Sequence, residues 1–241
     1  MYAAAAGMNA QQARLDALSS DIANVNTAGY KPTRQAFRDL LYSQAGTATI
    51  NGVQVGAGSA VSDLGRNDAQ GNIATSDDNL DVAIVGPGYL QVRSATGETL
   101  LTRNGRLQID AQGRLAMQSG DLLQPTIQLP KGTQAEQVGI AANGTVTVAG
   151  KAIGQLRLLT VDAPSKLAPS GTDTFRANAE SGTPRAAGSG TTLQQGAIET
   201  SGVQLSDAMT EMLQTQRAYQ LASRAISTQD KIAEIADGVK R

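Results

Sequence analysis

The sequence predicts an α+β chain. N- and C-terminal helices pair as a coiled-coil-like layer, and a mainly antiparallel β-rich domain lies between them. Three observations carry this expectation. Apolar residues recur at helical spacing only near the two ends, at about residues 2–25 and 205–239. Between them, short apolar/polar alternations are punctuated by Gly, Pro, Asn and Asp. The chain also has two Phe, five Tyr and no Trp against 26 Gly, so its core rests on Ala, Val, Leu and Ile and is thin. Amphipathic ends must be buried against each other or against copies of the chain, and a contact between copies that does not close makes a filament. The expected division is residues 1–42 with 200–241 as a helical domain, and 43–199 as a β-rich domain with Gly/Ser/Thr/Pro-rich loops.

At the N-terminus, Met8, Leu15 and Ile22 fall at heptad spacing, joined by Leu18 and Val25. Asn9, Gln12, Arg14, Asp16 and Ser20 occupy the opposite face. Asn26, Thr27 and Gly29 end the helix, and Pro32 opposes its continuation. Residues 43–58 lack a helical period and read as an extended loop or hairpin. Leu80, Val82 and Ile84 alternate with Asp81 and Ala83, the pattern of a half-buried strand. Gly86-Pro87-Gly88 turns the chain. Asn104-Gly105, between Leu100-Leu101 and Leu107/Ile109, predicts a hairpin. Asn143-Gly144 precedes Val146 and Val148, and Ala149-Gly150 leads into a strand through Leu156, Leu158 and Thr160. Composition leaves residues 164–190 open between a flexible linker and an ordered loop. The last helix carries Leu205, Ala208, Met209, Met212, Tyr219, Ala222 and Ile226, then Ile232, Ile235 and Val239 after a shift of phase. Ser206 is the expected N-cap, with Asp207 beside the positive helix end.

Composition narrows the function. Lys plus Arg total 20 and Asp plus Glu 21, for a net charge of −1, so there is no basic surplus for nucleic acid. The absence of Cys and His excludes disulfides, thiolate chemistry and every His-based triad. Neither an S-x-x-K arrangement nor a phosphate-binding G-x-x-x-x-G-K-[ST] loop occurs. Asp77, Asn79 and Asp81 imitate the start of a calcium loop, but Val82 stands where Gly is required and Gly88 where Glu is required. No carboxylate pair stands out, so no enzyme, cofactor or metal is expected. No apolar run reaches the ~20 residues that span a bilayer. The Ala3–Ala6 run lacks the basic flank of a signal peptide.

Several motifs then add up. Ile22-Ala23-Asn24-Val25-Asn26-Thr27-Ala28-Gly29-Tyr30-Lys31 follows a helix containing Gly7-Met8-Asn9-Ala10-Gln11-Gln12. Asp81-Val82-Ala83-Ile84-Val85-Gly86-Pro87-Gly88-Tyr89 comes next, then Leu101-Thr102-Arg103-Asn104-Gly105 with Asp110-Ala111-Gln112-Gly113-Arg114-Leu115. Gln195-Gly196-Ala197-Ile198-Glu199-Thr200-Ser201-Gly202-Val203 leads into Gln216-Arg217-Ala218-Tyr219. In this order, and over nearly the whole length, they resemble the bacterial flagellar rod and hook family. One departure is Ser201-Gly202-Val203, where that family commonly has Ser-Asn-Val.

The resemblance implies a non-catalytic structural subunit of the flagellar basal body, in which the terminal helices line a central channel and the β domain lies outside. It implies self-assembly into a helical homopolymer, contact with other rod and hook subunits and with surrounding ring proteins, and export by the flagellar type III system. On this reading Met8, Leu15, Leu18, Ile22, Met212, Tyr219 and Ile226 form the inner helical layer. Asn24, Thr27, Gly29 and Tyr30 shape the helix exit. Gln216 and Arg217 face a neighbouring subunit, with Arg217 donating to its carboxylates or carbonyls. The family resemblance competes with a helical-stalk adhesin, which shares the division into helices and β domain.

Overall fold

A computed structural model describes residues 2–39, 43–44, 54–55, 58–171, 173–188 and 190–239. Helices stand at the two ends of the chain and the middle is rich in antiparallel strands, as the residue pattern predicts. Two compact units divide it. One comprises residues 1–23, 33–64 and 204–241; the other comprises 24–32 and 65–203.

In the first unit, helix α1 (Tyr2–Ala23) packs against helix α2 (Leu205–Val239). At 1.5 Å per residue these helices are about 33 and 52 Å long, so α1 cannot cover the whole of α2. The buried positions of α1 are Ala10, Leu18 and Asp21, while Met8, Leu15 and Ile22 are half-buried. The expected heptad stripe is therefore rotated toward the Ala10 side, and Val25 lies beyond the helix end. Helix α2 begins one residue before the expected cap. The Ala208 amide donates to the Gln204 carbonyl at 2.9 Å, so Ser206 sits inside the first turn and its carbonyl accepts from Thr210. Strands Thr33–Asp39 and Ser59–Arg66 pair, and Ser43–Gln44 pairs with Gln54–Val55. Of the expected loop or hairpin over 43–58, these two short strands and Gly58 are described; the residues between lie outside the described ones. Arg14 reaches from α1 over the Phe37 ring, 5.2 Å from its centroid, and also pairs with Glu211 of α2.

The second unit is built on a sheet that runs Ala168–Pro169, Thr174–Arg176, Thr99–Thr102, Tyr89–Arg93, Leu122–Leu123, Leu115–Met117, Leu107–Ile109. Tyr89–Arg93 is its axle. One edge pairs with Thr99–Thr102. The other is shared, with Arg93 and Val92 opposite Leu122–Leu123, and Leu90 and Tyr89 opposite Leu158–Thr160. A three-stranded meander (Val138–Ile140, Thr145–Val148, Lys151–Gln155) forms a separate sheet. Leu80, Val82, Ile84, Leu90, Val92, Leu115, Met117, Val138 and Val146 belong to one buried cluster; Tyr89, Leu101, Val161, Leu167 and Phe175 form another.

Three expectations are corrected here. The strand Val82–Val85 is buried on both faces, not one, and pairs with Thr192–Gln195. Asn104-Gly105 closes no hairpin: Thr99–Thr102 pairs with Tyr89–Arg93 and Thr174–Arg176, while Leu107–Ile109 pairs with Leu115–Met117. Gly105 serves a different purpose, since its carbonyl accepts from the Val82 amide at 3.0 Å and a Cβ on it would lie 1.6 Å from the Val82 oxygen. The run from Ala149 to Thr160 is two strands, Lys151–Gln155 and Leu158–Thr160, in different sheets. Of the two readings left open for residues 164–190, the described part fits the ordered one and contributes strands Ala168–Pro169, Thr174–Arg176 and Arg185–Ala186.

Candidate assembly face and buried motif junction

Helix α2 carries two kinds of apolar position. Ala208 is buried, and Met212, Tyr219, Ala222 and Ile226 are half-buried. Leu205, Met209, Leu213, Leu221, Ile232 and Ile235 are exposed, Leu221 at 66% and Ile235 at 67%. Leu205, Met209, Leu213, Arg217 and Leu221 follow one another at intervals of four, the ridge that helices interdigitate when they pack. Sequence reading placed Leu205 and Met209 on one stripe with Met212 and Tyr219; in the structure the first two are exposed while Met212 and Tyr219 are half-buried. Leu213 and Leu221 were missed altogether, though their spacing from Leu205 was available. Gln216 and Arg217 are exposed.

The helix-exit residues fold into a tight turn in the second unit. The Thr27 amide donates to the Asn24 carbonyl at 3.1 Å, and the Thr27 hydroxyl bonds the Asn24 side-chain oxygen at the same distance. Tyr30 is buried. Gly29 has φ +69°, and a Cβ there would meet the Arg103 carbonyl carbon at 2.7 Å. Its amide donates to the Glu199 carbonyl at 2.9 Å, and the Gly202 amide to the Tyr30 carbonyl at 2.9 Å. The two segments thus lie side by side.

At their centre is a charged group that the sequence-derived candidates did not include. Lys31 is 2% exposed and Glu199 1%. The Lys31 ammonium donates to one Glu199 carboxylate oxygen at 2.6 Å and to the Ala69 carbonyl at 2.6 Å. The Gly71 amide donates to the same carboxylate oxygen at 2.7 Å, and Arg103 Nε to the other at 2.8 Å. The Arg103 guanidinium also donates to the carbonyls of Gly88 and Gly86, at 2.8 and 3.2 Å, and lies 5.8 Å from the Tyr89 ring centroid. Arg66 donates to the Lys31 carbonyl at 2.9 Å and lies over the Tyr30 and Phe175 rings. Burial pushes the Lys31 ammonium below the usual lysine value, and Glu199 opposes that shift. Removing one member of such a group leaves a buried charge without its partner, a loss of about 3–5 kcal/mol. The available signal was three ionisable residues, each embedded in a different motif among apolar or small neighbours.

Tyr89 borders this group, and burial raises its phenol from 10 to about 12. The unfolded chain ionises first, so stability falls as pH rises from about 10 to 12, by roughly 2–3 kcal/mol. Spectrophotometric titration should show a tyrosine ionising near pH 12, and Tyr89→Phe should remove that step.

The acidic run has a local purpose. Asp78 accepts from the Leu80 amide, Asp81 from the Ser76 hydroxyl, and Asn79 donates to the carbonyls of Ala135 and Val138. Among the described residues no acidic group is arranged to hold a metal ion, and no helix is long and apolar enough to cross a membrane.

Comparison with known proteins bears on the whole chain. Residues 1–31 match the family described as flagella basal body rod protein. Residues 83–148 match the D1 domain of flagellar hook protein FlgE/F/G, and residues 194–238 the C-terminal segment of flagellar basal body rod FlgEFG protein. The flagellar basal-body rod protein FlgG of Buchnera aphidicola subsp. Schizaphis graminum is 35% identical over 246 residues, covering 95% of this chain and 94% of that protein. FlgG of Agrobacterium fabrum is 34% identical over 252 residues, covering 96% and 95%. FlgG of Bacillus subtilis is 33% identical over 263 residues, covering 100% and 98%. Identity at this level from end to end, with four of the motifs contributing to one buried junction, means that the chain belongs to the bacterial flagellar hook and basal-body rod family and is FlgG-like within it.

Proposed function

We propose that the chain is a structural subunit of the distal rod in the flagellar basal body, where copies polymerise through their terminal helices into a hollow helical shaft that transmits torque. The observation that carries this reading is the exposed ridge of α2. Burying a Leu or Met side chain gains about 1.5–3 kcal/mol, and Leu205, Met209, Leu213 and Leu221 are exposed in the single chain. A second copy that covers this ridge with a different part of its own surface makes a head-to-tail contact, and such a contact repeated without closure builds a helical assembly.

In this proposal residues 1–42 and 200–241 form the axial layer and 43–199 the outer domain. Helices α1 and α2 pair as a coiled-coil-like layer through Met8, Leu15, Leu18, Ile22, Met212, Tyr219 and Ile226. Gln216 and Arg217, exposed on the same helix, reach the neighbouring subunit. The work is mechanical and needs no catalysis. The chain is delivered by the flagellar type III system, and its partners are further copies, other rod and hook subunits and the surrounding rings.

Purified chain and its Leu213→Asp and Leu221→Asp variants test this by electron microscopy and circular dichroism. The parent chain should polymerise. Each variant should lose growth by at least about tenfold while its helical signal is retained, because the replaced side chains are already exposed in the monomer. Unimpaired growth of both variants, or absence of the chain from the rod of isolated basal bodies, would overturn the reading.

A further inference from the structure

The junction of Lys31, Arg103 and Glu199 draws together segments far apart in the chain. Asn24–Pro32 follows α1 directly and Glu199–Val203 runs up to α2; the loop through Ala69 and Gly71, the turn at Gly86–Gly88 and Arg103 complete it. Two kinds of observation coincide here. Glu199 receives donors from three of these segments, at 2.6, 2.7 and 2.8 Å from its carboxylate oxygens. Glycines also stand where the backbones meet. A Cβ on Gly71 would lie 2.4 Å from the Thr200 carbonyl oxygen, one on Gly29 2.7 Å from Arg103, and one on Gly202 3.2 Å from the Pro32 ring. Main-chain bonds from Gly29 to Glu199 and from Gly202 to Tyr30 complete the contact.

Its bonds differ in kind from the contacts of the adjoining aliphatic cluster, which is made of Leu, Val, Ile and Met side chains. Cohesion at the junction is polar and centred on one carboxylate. Loss of that charge removes the reason for three donors to converge, whereas the sheet keeps its own ladders and apolar contacts. Cooperative elements with distinct sources of cohesion open at distinct free energies.

We propose that Lys31, Arg103 and Glu199 form a separately opening clasp, with Glu199 as the positioning residue that holds the segment leaving α1 against the segment entering α2. The clasp keeps those two chain ends together within the second unit. Its assembly role rests on the rod reading given above, and its opening does not.

Hydrogen exchange on the full-length chain tests it. Glu199→Gln should speed exchange of the Gly29, Gly71 and Gly202 amides by at least about 100-fold while the amides of Val92 and Leu101 are unchanged. Lys31→Met, which keeps the Arg103–Glu199 pair, should do the same more weakly and serves if the first variant does not fold. The chain has no Cys, so spin labels on Asn26→Cys and Ser201→Cys report one distance without background. That distance should be narrow in the parent and broad in the variants. Equal acceleration at the junction and in the sheet, or no acceleration at either, would overturn the clasp. A narrow label distance in an exchange-open variant would overturn the positioning role. If the parent chain fails to polymerise, the rod reading falls and the exchange result still decides the clasp.

Discussion

Gly105→Ala is expected to prevent the second unit from folding, or to destabilise it by more than about 4 kcal/mol. A Cβ at this position would stand 1.6 Å from the Val82 carbonyl oxygen. Both partners are main chain, so no side-chain rotation relieves the overlap. The segments must separate, which breaks the 3.0 Å bond between the Val82 amide and the Gly105 carbonyl and disturbs a fully buried strand. Losses of this size are rare among point variants and come from just such forced displacements in a packed interior. For a chain of this length each kcal/mol moves the midpoint by about 2–4 °C, so thermal melting should show a fall of at least about 8 °C. A melting point within 2 °C of the parent would refute it.

Gly29→Ala should have the second largest effect, about 3–5 kcal/mol. Two costs add. Alanine at φ +69° carries about 1–2 kcal/mol of backbone strain, and the new Cβ presses on Arg103 and Asn104 main chain at 2.7–2.8 Å. Gly97→Ala separates the two, because Gly97 has φ +87° and open space around its Cβ position. That control should cost only the strain. Chemical denaturation of both variants reads the difference directly, and equal losses would mean that the contact with Arg103 contributes nothing.

These two glycines show where sequence reading succeeds and where it stops. Gly29 was read among the residues that end the first helix; that helix stops at Ala23, and Gly29, six residues on, takes φ +69° in the turn that follows. The cue is local: an apolar helical period ends, Gly follows, and Pro32 comes soon after. Gly105 was read by an equally local rule, since Asn-Gly flanked by apolar runs usually closes a hairpin. Its actual constraint is the approach of Val82, 23 positions earlier, and no nearest-neighbour pattern encodes that. The same limit explains the strand Val82–Val85. Alternation with Asp81 suggested a wet face, but Asp81 is held by the Ser76 hydroxyl and the strand is covered on both sides.

The helices were legible as elements because 3.6-residue periodicity survives in a single chain. Their faces were less so. Leu205 and Met209 satisfy helical spacing with either neighbour set, and only the packing of α1 decides which set is enclosed. Lys31, Arg103 and Glu199 were quoted within their motifs without being linked, because a charge pair across 168 positions leaves no trace in spacing. What the sequence did offer was the concurrence of motifs, and the family membership inferred from it stands.

The shared edge of Tyr89–Arg93 has a mechanical consequence. A one-residue slip would send Leu90 and Val92 to the opposite face. It would also break ladders with Thr99–Thr102, Leu122–Leu123 and Leu158–Thr160 in the same movement. Tyr89–Arg93 therefore cannot creep along its axis under repeated loading without losing all three partners together.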